Sequence, residues 1–228
     1  VTETIKRPTR TQQTGAWADG DRTPLNGNEV LKQADDALNV RQRIIDIYSK
    51  QGFASIPGDD LRGRFRWMGL YTQRKEGIDG GQTATLEPEE LDAEYFMMRV
   101  RSDGGILSTE QLHTIGQIST DFGRDTADIS DRQNIQLHWI GIEDVPEIWD
   151  RLERVGLHTL EACGDAPRVI IGSPVAGIAA DEIVDGTWAI EQIRSKYIGS
   201  PEFSNLPRKF KTAISGSPAL DVVHEINA

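Results

Sequence analysis

Two lysines near the end of the sequence are spaced to act together on an anion. Lys209 and Lys211 alternate with Phe210, so a strand there would put both ammonium groups on one face, about 6.6 Å apart along the backbone. Two such cations repel by roughly 2.5 kcal/mol at an effective dielectric near 20, and a bound anion would relieve that repulsion. Two solvated lysines on an edge strand are the competing interpretation, which spacing alone favours.

Arg99 and Arg168 each lie beside apolar residues that are predicted to form strands. A charge in such a position is costly unless it is paired or faces a bound ligand. The sequence also contains 36 acidic residues, and a salt bridge to one of them would explain either arginine. The residues alone therefore leave an anion site and a structural ion pair open for both.

Other chemistries have no support in the sequence. It contains no GxGxxG or Walker loop, no HExxH or CxxC pattern and no serine elbow, which argues against nucleotide binding, metal ligation and serine hydrolysis. Asn134, Gln136 and His138 give a predicted strand a polar face, which is more often a structural network than a metal site. Cys163 is the single cysteine, and an iron–sulfur cluster usually takes four thiolates.

Composition narrows the class of protein further. The formal net charge of −11 argues against a nucleic-acid-binding protein. The longest weakly polar run, residues 169–180, is about a dozen residues long and is interrupted by glycine and proline, whereas a membrane span needs about 20. The first 15 residues lack the apolar segment of a secretory signal, so we expect a cytoplasmic protein.

The first hundred residues predict an arm, a helix, a strand and a loop. Residues 1–38 are polar and predict an extended N-terminal arm. Asn39 and Gln42 resemble a capping box that begins a helix ending at Gly52. The segment LRGRFRWMGLY alternates arginines with other residues, which predicts a strand with one basic face; its arginines are Arg62, Arg64 and Arg66. Residues 76–94 predict a surface loop.

Two strand–helix units follow, and they predict a ferredoxin-like α+β half-domain over residues 39–157. YFMMRVR predicts a strand that buries Phe96, Met98 and Val100, and Ser108 with Gln111 predicts a capped helix to about Gly123. NIQLHWIGI predicts a strand that buries one set of alternate residues, and a helix from about Asp144 ends before Gly156. The predicted buried residues of these last three elements are Leu112, Ile115, Ile118, Phe122, Ile135, Leu137, Trp139, Ile148, Leu152 and Val155.

Residues 158–228 predict the first part of a second α+β domain. VIIG predicts a short strand, residues 188–198 a helix that ends at Gly199, and KFKTAIS another strand. We expect more of the protein after Ala228, because these elements do not close a sheet.

Five segments, in this order, resemble the sirohaem-dependent nitrite/sulfite reductases: RFRWMGLYTQRK, YFMMRVRSDGG, DISDRQNIQLHWI, EACGDAPR and NLPRKFKTAISG. The likeness runs from about Ala16 onward and is strongest to the ferredoxin-type assimilatory sulfite reductases of bacteria. It implies a ferredoxin-like half-domain, followed over residues 158–228 by the first part of the sirohaem-binding α+β domain.

The resemblance also implies roles for individual residues. Arg99, Arg168, Lys209 and Lys211 match the family's cationic residues, which bind the substrate anion and supply protons. Lysines crowded by like charge should titrate lower and donate protons more readily.

Sirohaem carries eight carboxylates, and the same resemblance implies polar seats for them at Arg132, Asn134, Gln136 and His138, with Arg64 and Arg66 as further candidates. Tyr71 and Cys163 match the positions that form a thioether crosslink in some members. Ala166 departs from the pattern, since close relatives have a second cysteine there.

The implied activity is the six-electron reduction of sulfite to sulfide, with ferredoxin as electron donor and a full-length monomer as the active form. The implied cofactors are sirohaem and a [4Fe–4S] cluster whose cysteine ligands lie outside this sequence, so we expect the segment alone to be inactive. A ferredoxin–nitrite reductase is the alternative within the family, although Lys211 and Tyr71 favour sulfite. A non-catalytic, anion-binding ferredoxin-like module is the alternative from another class.

Overall fold

An antiparallel four-stranded sheet in the order β1-β2-β4-β3 organises most of the fold. The computed structural model describes residues 26–207, 209–219 and 221–222. The strands of these described residues are β1 Leu70–Arg74, β2 Asp92–Val100, β3 Ala127–Ile129, β4 Ile135–Ile140, β5 Ile171–Gly172 and β6 Ala213–Ile214. Their α-helices are α1 Gly27–Ala34, α2 Val40–Arg43, α3 Ser49–Gln51, α4 Gly58–Leu61, α5 Pro88–Leu91, α6 Thr109–Phe122, α7 Val145–Arg154 and α8 Thr187–Tyr197. The predicted α+β class is confirmed.

One face of this sheet forms the core, as the alternation in β2 predicts. Phe96, Met98 and Val100 are fully buried, and Met98 lies between Leu70 of β1 and Leu137 of β4. The opposite face, here called the outer face, presents the intervening residues of β1, β2 and β4. β1, β2 and β4 therefore pack on an apolar core with one face, and their other side chains lie on the outer face.

A β-bulge corrects one part of the predicted core. Phe96 pairs with Ile140 and Met98 pairs with Leu137, so three steps along β4 correspond to two along β2. Trp139, which alternation placed in the core, has a φ of 59° and is half-buried. Ile140 occupies the core position instead.

The two long helices that pack on the core side begin near the predicted residues. The capping box of Ser108 and Gln111 is confirmed, and α6 buries Ile115 and Ile118. Leu112 was predicted on the buried face, but it is 58% exposed. Ile148 and Leu152 of α7 are buried as predicted.

The described part of the predicted extended arm is not extended. Residues 1–25 lie outside the described residues, and α1 occupies much of the rest. The Asn26 side chain accepts hydrogen bonds from the N–H groups of Asn28 and Glu29, which starts the helix. The polar composition predicted an extended arm, but the helix cap at Asn26 determines the structure of these residues instead.

The next helix begins earlier than predicted. A helical run covers residues 37–51, and its first cap is the Asp36 carboxylate, which accepts from the Leu38 N–H. Asn39 itself is helical and makes no capping hydrogen bond, so the predicted capping box there is wrong. The predicted end at Gly52, with a φ of 82°, is confirmed.

The segment predicted as a strand with a basic face is helical. It begins at Leu61, the last residue of α4, forms the 3₁₀ helix Arg64–Met68 and enters β1 at Leu70. Gly69 ends that helix with a φ of 70°, and a Cβ there would lie 2.8 Å from the carbonyl oxygen of Arg99. This left-handed turn leads directly into β1, so only the last residues of the predicted strand are extended.

The predicted surface loop over residues 76–94 is partly ordered into helix and strand. It contains the 3₁₀ helix Gly80–Ala84 and the short helix α5. Capping interactions at Asp79 and Glu87 start these two helices. β2 begins at Asp92, three residues before the predicted start at Tyr95.

The second part of the chain is built around β5 and β6, which pair in parallel. The strand predicted for KFKTAIS is limited to β6, because Lys209 has a φ of 66°, a left-handed conformation that breaks an extended run. The helix predicted for residues 188–198 is confirmed as α8. Within the described residues, no helix is both long and apolar enough to cross a membrane.

Candidate functional site

The outer face of the sheet carries Arg99 beside a tyrosine. Arg99 pairs with Gln136 across β2 and β4, while Tyr71 of β1 pairs with Met97. The Arg99 guanidinium lies 5.1 Å from the centroid of the Tyr71 ring, within the range of a cation–π contact. The Nε atom of Arg99 is buried without a hydrogen-bond partner.

Arg168 reaches the same tyrosine from the other part of the chain. Its main-chain N–H donates to the Phe210 carbonyl at 3.1 Å, which aligns residues 168–172 with the segment that enters β6. The Arg168 Nε atom is also buried without a hydrogen-bond partner. Among the described residues, neither Arg168 nor Arg99 forms a salt bridge, so the ion-pair interpretation of these two cations finds no support there.

Tyr71 and Cys163 lie close together at this point. Burial raises the pKa of Tyr71 above its ordinary value, and the hydrogen-bonded thiol of Cys163 raises it further, whereas Arg99 and Arg168 act in the opposite direction. Cys163 is 3% exposed. The two side chains are therefore neighbours, and the crosslink between them stays a prediction.

The two lysines approach the same region without forming a strand face. Lys209 is exposed, and Lys211 is partly covered. Desolvation lowers the pKa of Lys211, and three neighbouring cations lower it further: Arg132, Lys209 and Arg168. We call Arg99, Arg168, Lys209 and Lys211 the cation cluster. Arg99 and Arg168 both lie near Tyr71, and Arg168 and Lys209 both lie near Lys211.

Arg132 borders the cation cluster and hydrogen-bonds to main-chain carbonyl oxygens. Its Nη2 atom donates to the carbonyl oxygens of Val169, at 2.5 Å, and Thr212, at 3.4 Å. Burial and the charges of Arg168 and Arg101 lower the pKa of Arg132 to about 10. The guanidinium therefore joins the β5 and β6 segments while adding to the positive potential.

The other predicted seats for a cofactor differ in their surroundings. Asn134 is buried and its Oδ1 atom has no hydrogen-bond partner. Gln136 shares the outer face with Arg99. His138 lies 2.9 Å from an Asp128 carboxylate oxygen. Their roles in binding a cofactor stay predictions.

Arg64 and Arg66 are turned toward other protein groups. Arg64 is buried and donates to Asp60 at 2.8 Å and to the Leu31 carbonyl at 3.0 Å. Arg66 donates to the Gly63 carbonyl at 2.9 Å and to Asn28 Oδ1 at 2.7 Å. Arg64 could reach a ligand only by leaving a buried carboxylate, so a cofactor-binding role for it is not supported.

The loop that carries Cys163 is held by residues that sequence reasoning missed. Gly164 has a φ of 97° and packs so closely on the Trp67 indole that a Cβ would lie 2.8 Å from the ring. Asp165 is buried and accepts from Asn28 at 2.6 Å and from Lys32 at 3.3 Å, both in α1. The sequence signal was the CGD turn itself, whose glycine indicates a constrained backbone.

The described residues do not form a metal site of their own. Groups of three or more potential His, Cys, Asp or Glu ligands are absent from the described part of the chain. The arrangement consists instead of several cations beside a buried phenol and thiol, and none of the four residues of the cation cluster forms a salt bridge among the described residues. Chemically, such a site can bind an anion and hold donatable protons next to it.

Two family models match successive parts of the chain. The nitrite/sulfite reductase ferredoxin-like half domain matches residues 89–155. The nitrite and sulphite reductase 4Fe-4S domain matches residues 163–227. Together these matches include both strand–helix units and all four residues of the cation cluster, and they confirm the predicted ferredoxin-like fold of the first part.

Individual relatives agree with these matches. The chain is 62% identical over 98% of its length to a sulfite reductase [ferredoxin] of Mycobacterium tuberculosis strain H37Rv, and it spans 40% of that relative's length. A ferredoxin–nitrite reductase of Leptolyngbya laminosa is 36% identical over 90% of the chain, which spans 38% of that relative.

A solved structure of the Mycobacterium tuberculosis NirA protein superposes with a TM-score of 0.87 at 64% identity, covering 90% of this chain and 37% of that one. The chain therefore spans about 40% of the length of the curated relatives it matches. The two consecutive family matches and this structural agreement show that the chain belongs to the nitrite/sulfite reductase family.

Proposed function

We propose that this protein takes part in the reduction of sulfite to sulfide, with ferredoxin as electron donor, as a cytoplasmic monomer when full length. The proposal is supported by the names of its relatives, since those that share about 60% of its residues are called sulfite reductase [ferredoxin]. The relative named as a nitrite reductase shares 36%. Nitrite reduction is therefore the second candidate.

The observation that carries the proposal is that Arg99 and Arg168, each with a buried guanidinium Nε atom, lack carboxylate partners among the described residues. The protein has 36 acidic and 25 basic residues, yet Arg99 and Arg168 make no salt bridge among the described residues and each has a buried Nε atom without a hydrogen bond. Partly desolvated cations are costly unless a counter-charge joins them. An oxyanion such as sulfite would supply that charge.

The cation cluster also suits a cofactor with many carboxylates. Sirohaem suits the outer face of the sheet, where the donor groups of Arg99 and Gln136 would hold its carboxylates. When bound, sirohaem supplies the redox-active iron at which the anion is reduced. A [4Fe–4S] cluster does not fit these residues, since the sequence has one cysteine and such a cluster usually takes four.

The chain's own residues would bind the anion and deliver protons. Arg99 and Arg168 keep their charge at any relevant pH and present planar donors that match oxyanion geometry. Lys211, whose pKa is lowered by burial and neighbouring cations, can donate a proton and recover it from solvent. Six-electron reduction of sulfite to sulfide consumes protons, so both functions are needed in one site.

Replacement of Lys211 tests this proposal. In the intact enzyme, Lys211→Asn should lower kcat/KM for sulfite by roughly tenfold or more, and for nitrite by less, because the more highly charged anion loses a cation as well as a proton donor. Lys50→Asn, at an exposed lysine in α3, is the control and should change neither.

The outcomes separate the candidate functions. Equal loss on both anions would leave the site but remove the argument for sulfite over nitrite. No loss on either would exclude Lys211 from the site. An absorbance spectrum of the purified intact protein without sirohaem bands would instead favour a non-catalytic anion-binding module.

A further inference from the structure

Arg101 lies two residues after Arg99 on the same strand side, but its surroundings are entirely different. Its side chain is 1% exposed and forms a bidentate ion pair with Asp103, with Nε donating at 2.6 Å and Nη2 at 2.9 Å. Arg99 has no such partner among the described residues. A period of two would predict similar surroundings for both arginines, but only Arg101 has a carboxylate partner among the described residues.

The remaining donors of Arg101 all go to one main-chain segment. Nη1 donates to the carbonyl oxygens of Glu161 at 3.0 Å and Pro167 at 3.1 Å, and Nη2 donates to that of Arg168 at 3.1 Å. These carbonyls lie at the two ends of residues 161–168, the loop that carries Cys163 and leads to Arg168. Every nitrogen of the guanidinium is therefore engaged.

We infer that Arg101 is a positioning residue, which fixes residues 161–168 and thereby sets where Cys163 and Arg168 lie relative to Tyr71. The fork geometry explains why an arginine is needed, because five N–H groups in one plane can reach three carbonyls and a carboxylate at once. A lysine ammonium offers three donors from a single atom and cannot span them.

Asp103 completes the arrangement on both sides. Its Oδ1 atom also accepts from the Ile170 N–H at 2.8 Å, so the ion pair ties the end of β2 to the start of β5. Because the charge of Arg101 is neutralised where it lies, it adds little attraction for an anion. The relevance of Arg168 to anion binding rests on the proposed function, whereas the fixing of the loop does not.

Arg101→Lys in the intact protein separates positioning from charge, because it keeps the cation and removes the fork. We expect amide hydrogen exchange across residues 161–170 to accelerate by roughly tenfold or more, since several charge-assisted hydrogen bonds are lost, while β1 and β2 keep their protection. Arg124→Lys is the matched control: Arg124 is exposed and pairs with Glu76 at 3.4 Å, so exchange in the loop should not change. Unchanged exchange in Arg101→Lys would overturn the inference.

Kinetics of the same variants distinguish this inference from the proposed function. If Arg168→Ala raises the KM for sulfite, Arg101→Lys should raise it in the same direction with kcat less affected. If Arg168→Ala raises KM and Arg101→Lys does not, the positioning role is overturned while the proposed function stands. If neither raises KM, the proposed function fails and loop exchange alone decides whether Arg101 positions the loop.

A second variant covers the case in which Arg101→Lys does not fold. In Asp103→Asn the amide NH₂ group would face the donors of Arg101 in place of a carboxylate oxygen. Arg101 must then shift, and its three carbonyl partners with it, so exchange across residues 161–170 should again accelerate. Wild-type exchange in a folded Asp103→Asn protein would refute the role assigned to this ion pair.

Discussion

Glu161 and His158 flank the loop of Cys163 and should give the protein two opposed dependences of stability on pH. Glu161 is fully buried, and burial raises its pKa from 4.5 to about 7. Burial, aided by Arg101, lowers the pKa of His158 from 6.5 to about 4. Each difference corresponds to about 3 kcal/mol at 1.36 kcal/mol for each pKa unit.

The signs follow from proton linkage. Glu161 binds its proton more tightly in the folded state, so its contribution is present below pH 4.5 and is lost as the pH rises through about 7. His158 binds its proton more weakly in the folded state, so its contribution is present above pH 6.5 and is lost as the pH falls through about 4. Between pH 4.5 and 6.5 the two slopes oppose each other and should nearly cancel.

Removing one partner should expose the slope of the other. In Glu161→Gln the free energy of unfolding should rise between pH 4.5 and 6.5 by up to about 3 kcal/mol relative to wild type, because only the histidine slope remains. In His158→Gln it should fall by a similar amount between pH 4.5 and 7. Denaturant unfolding of both variants and wild type across this range measures the difference directly.

Cancellation is the sharp part of this prediction. If both variants show the pH dependence of wild type, these two groups do not have the shifted pKa values that burial implies. The carboxylates whose pKa is lowered by ion pairs, Asp35 and Asp60, lose their contribution only as the pH falls below their ordinary value of 3.8. They therefore do not disturb the window.

Three further predictions concern the loop and its supports. Gly164→Ala should lower the free energy of unfolding by more than about 2 kcal/mol, because its φ of 97° and the indole 2.8 Å away both exclude a Cβ. Gly77→Ala, also at positive φ but in open space, should lower it by about 1 kcal/mol. Chemical denaturation compares the two variants. Lys32→Met should cost about 3–5 kcal/mol in the same assay, since it removes the cation that contacts the buried carboxylate of Asp165. In a peptide map of the intact protein, any thioether would join the peptides of Tyr71 and Cys163 with the loss of two hydrogens, and Cys163→Ser should abolish that species; peptides always separate would leave only the hydrogen bond.

Local patterns predicted the elements that local interactions determine. β2 and α6 are present because strict alternation and a reciprocal capping box need no information from elsewhere in the chain. The strand predicted for residues 62–68 was wrong, because an alternation of arginines fits a strand, whereas Gly63 and Gly69 fit a helix between two turns. Arg64 is buried by Asp60 and Asp35, and no period within the segment indicates those partners.

The cation cluster could be anticipated by resemblance and not by spacing. Lys209 and Lys211 alternate, but the chain at Lys209 is left-handed and does not present them as a strand would. Their approach to Arg168 depends on the pairing of β5 with β6, which joins segments distant in the sequence. Register between distant segments is set by tertiary packing, so a single sequence leaves it open.

The placement of carboxylates distinguishes several arginines of this protein from one another. Arg43, Arg64 and Arg101 are each paired with a carboxylate, while Arg99 and Arg168 have none among the described residues. A net charge of −11 would repel sulfite from a distance, but that repulsion is screened beyond about 8 Å at physiological ionic strength. Within that distance the unpaired cations dominate. The proposed anion site therefore depends on the absence of carboxylate partners for Arg99 and Arg168 among the described residues, which overall composition does not reveal.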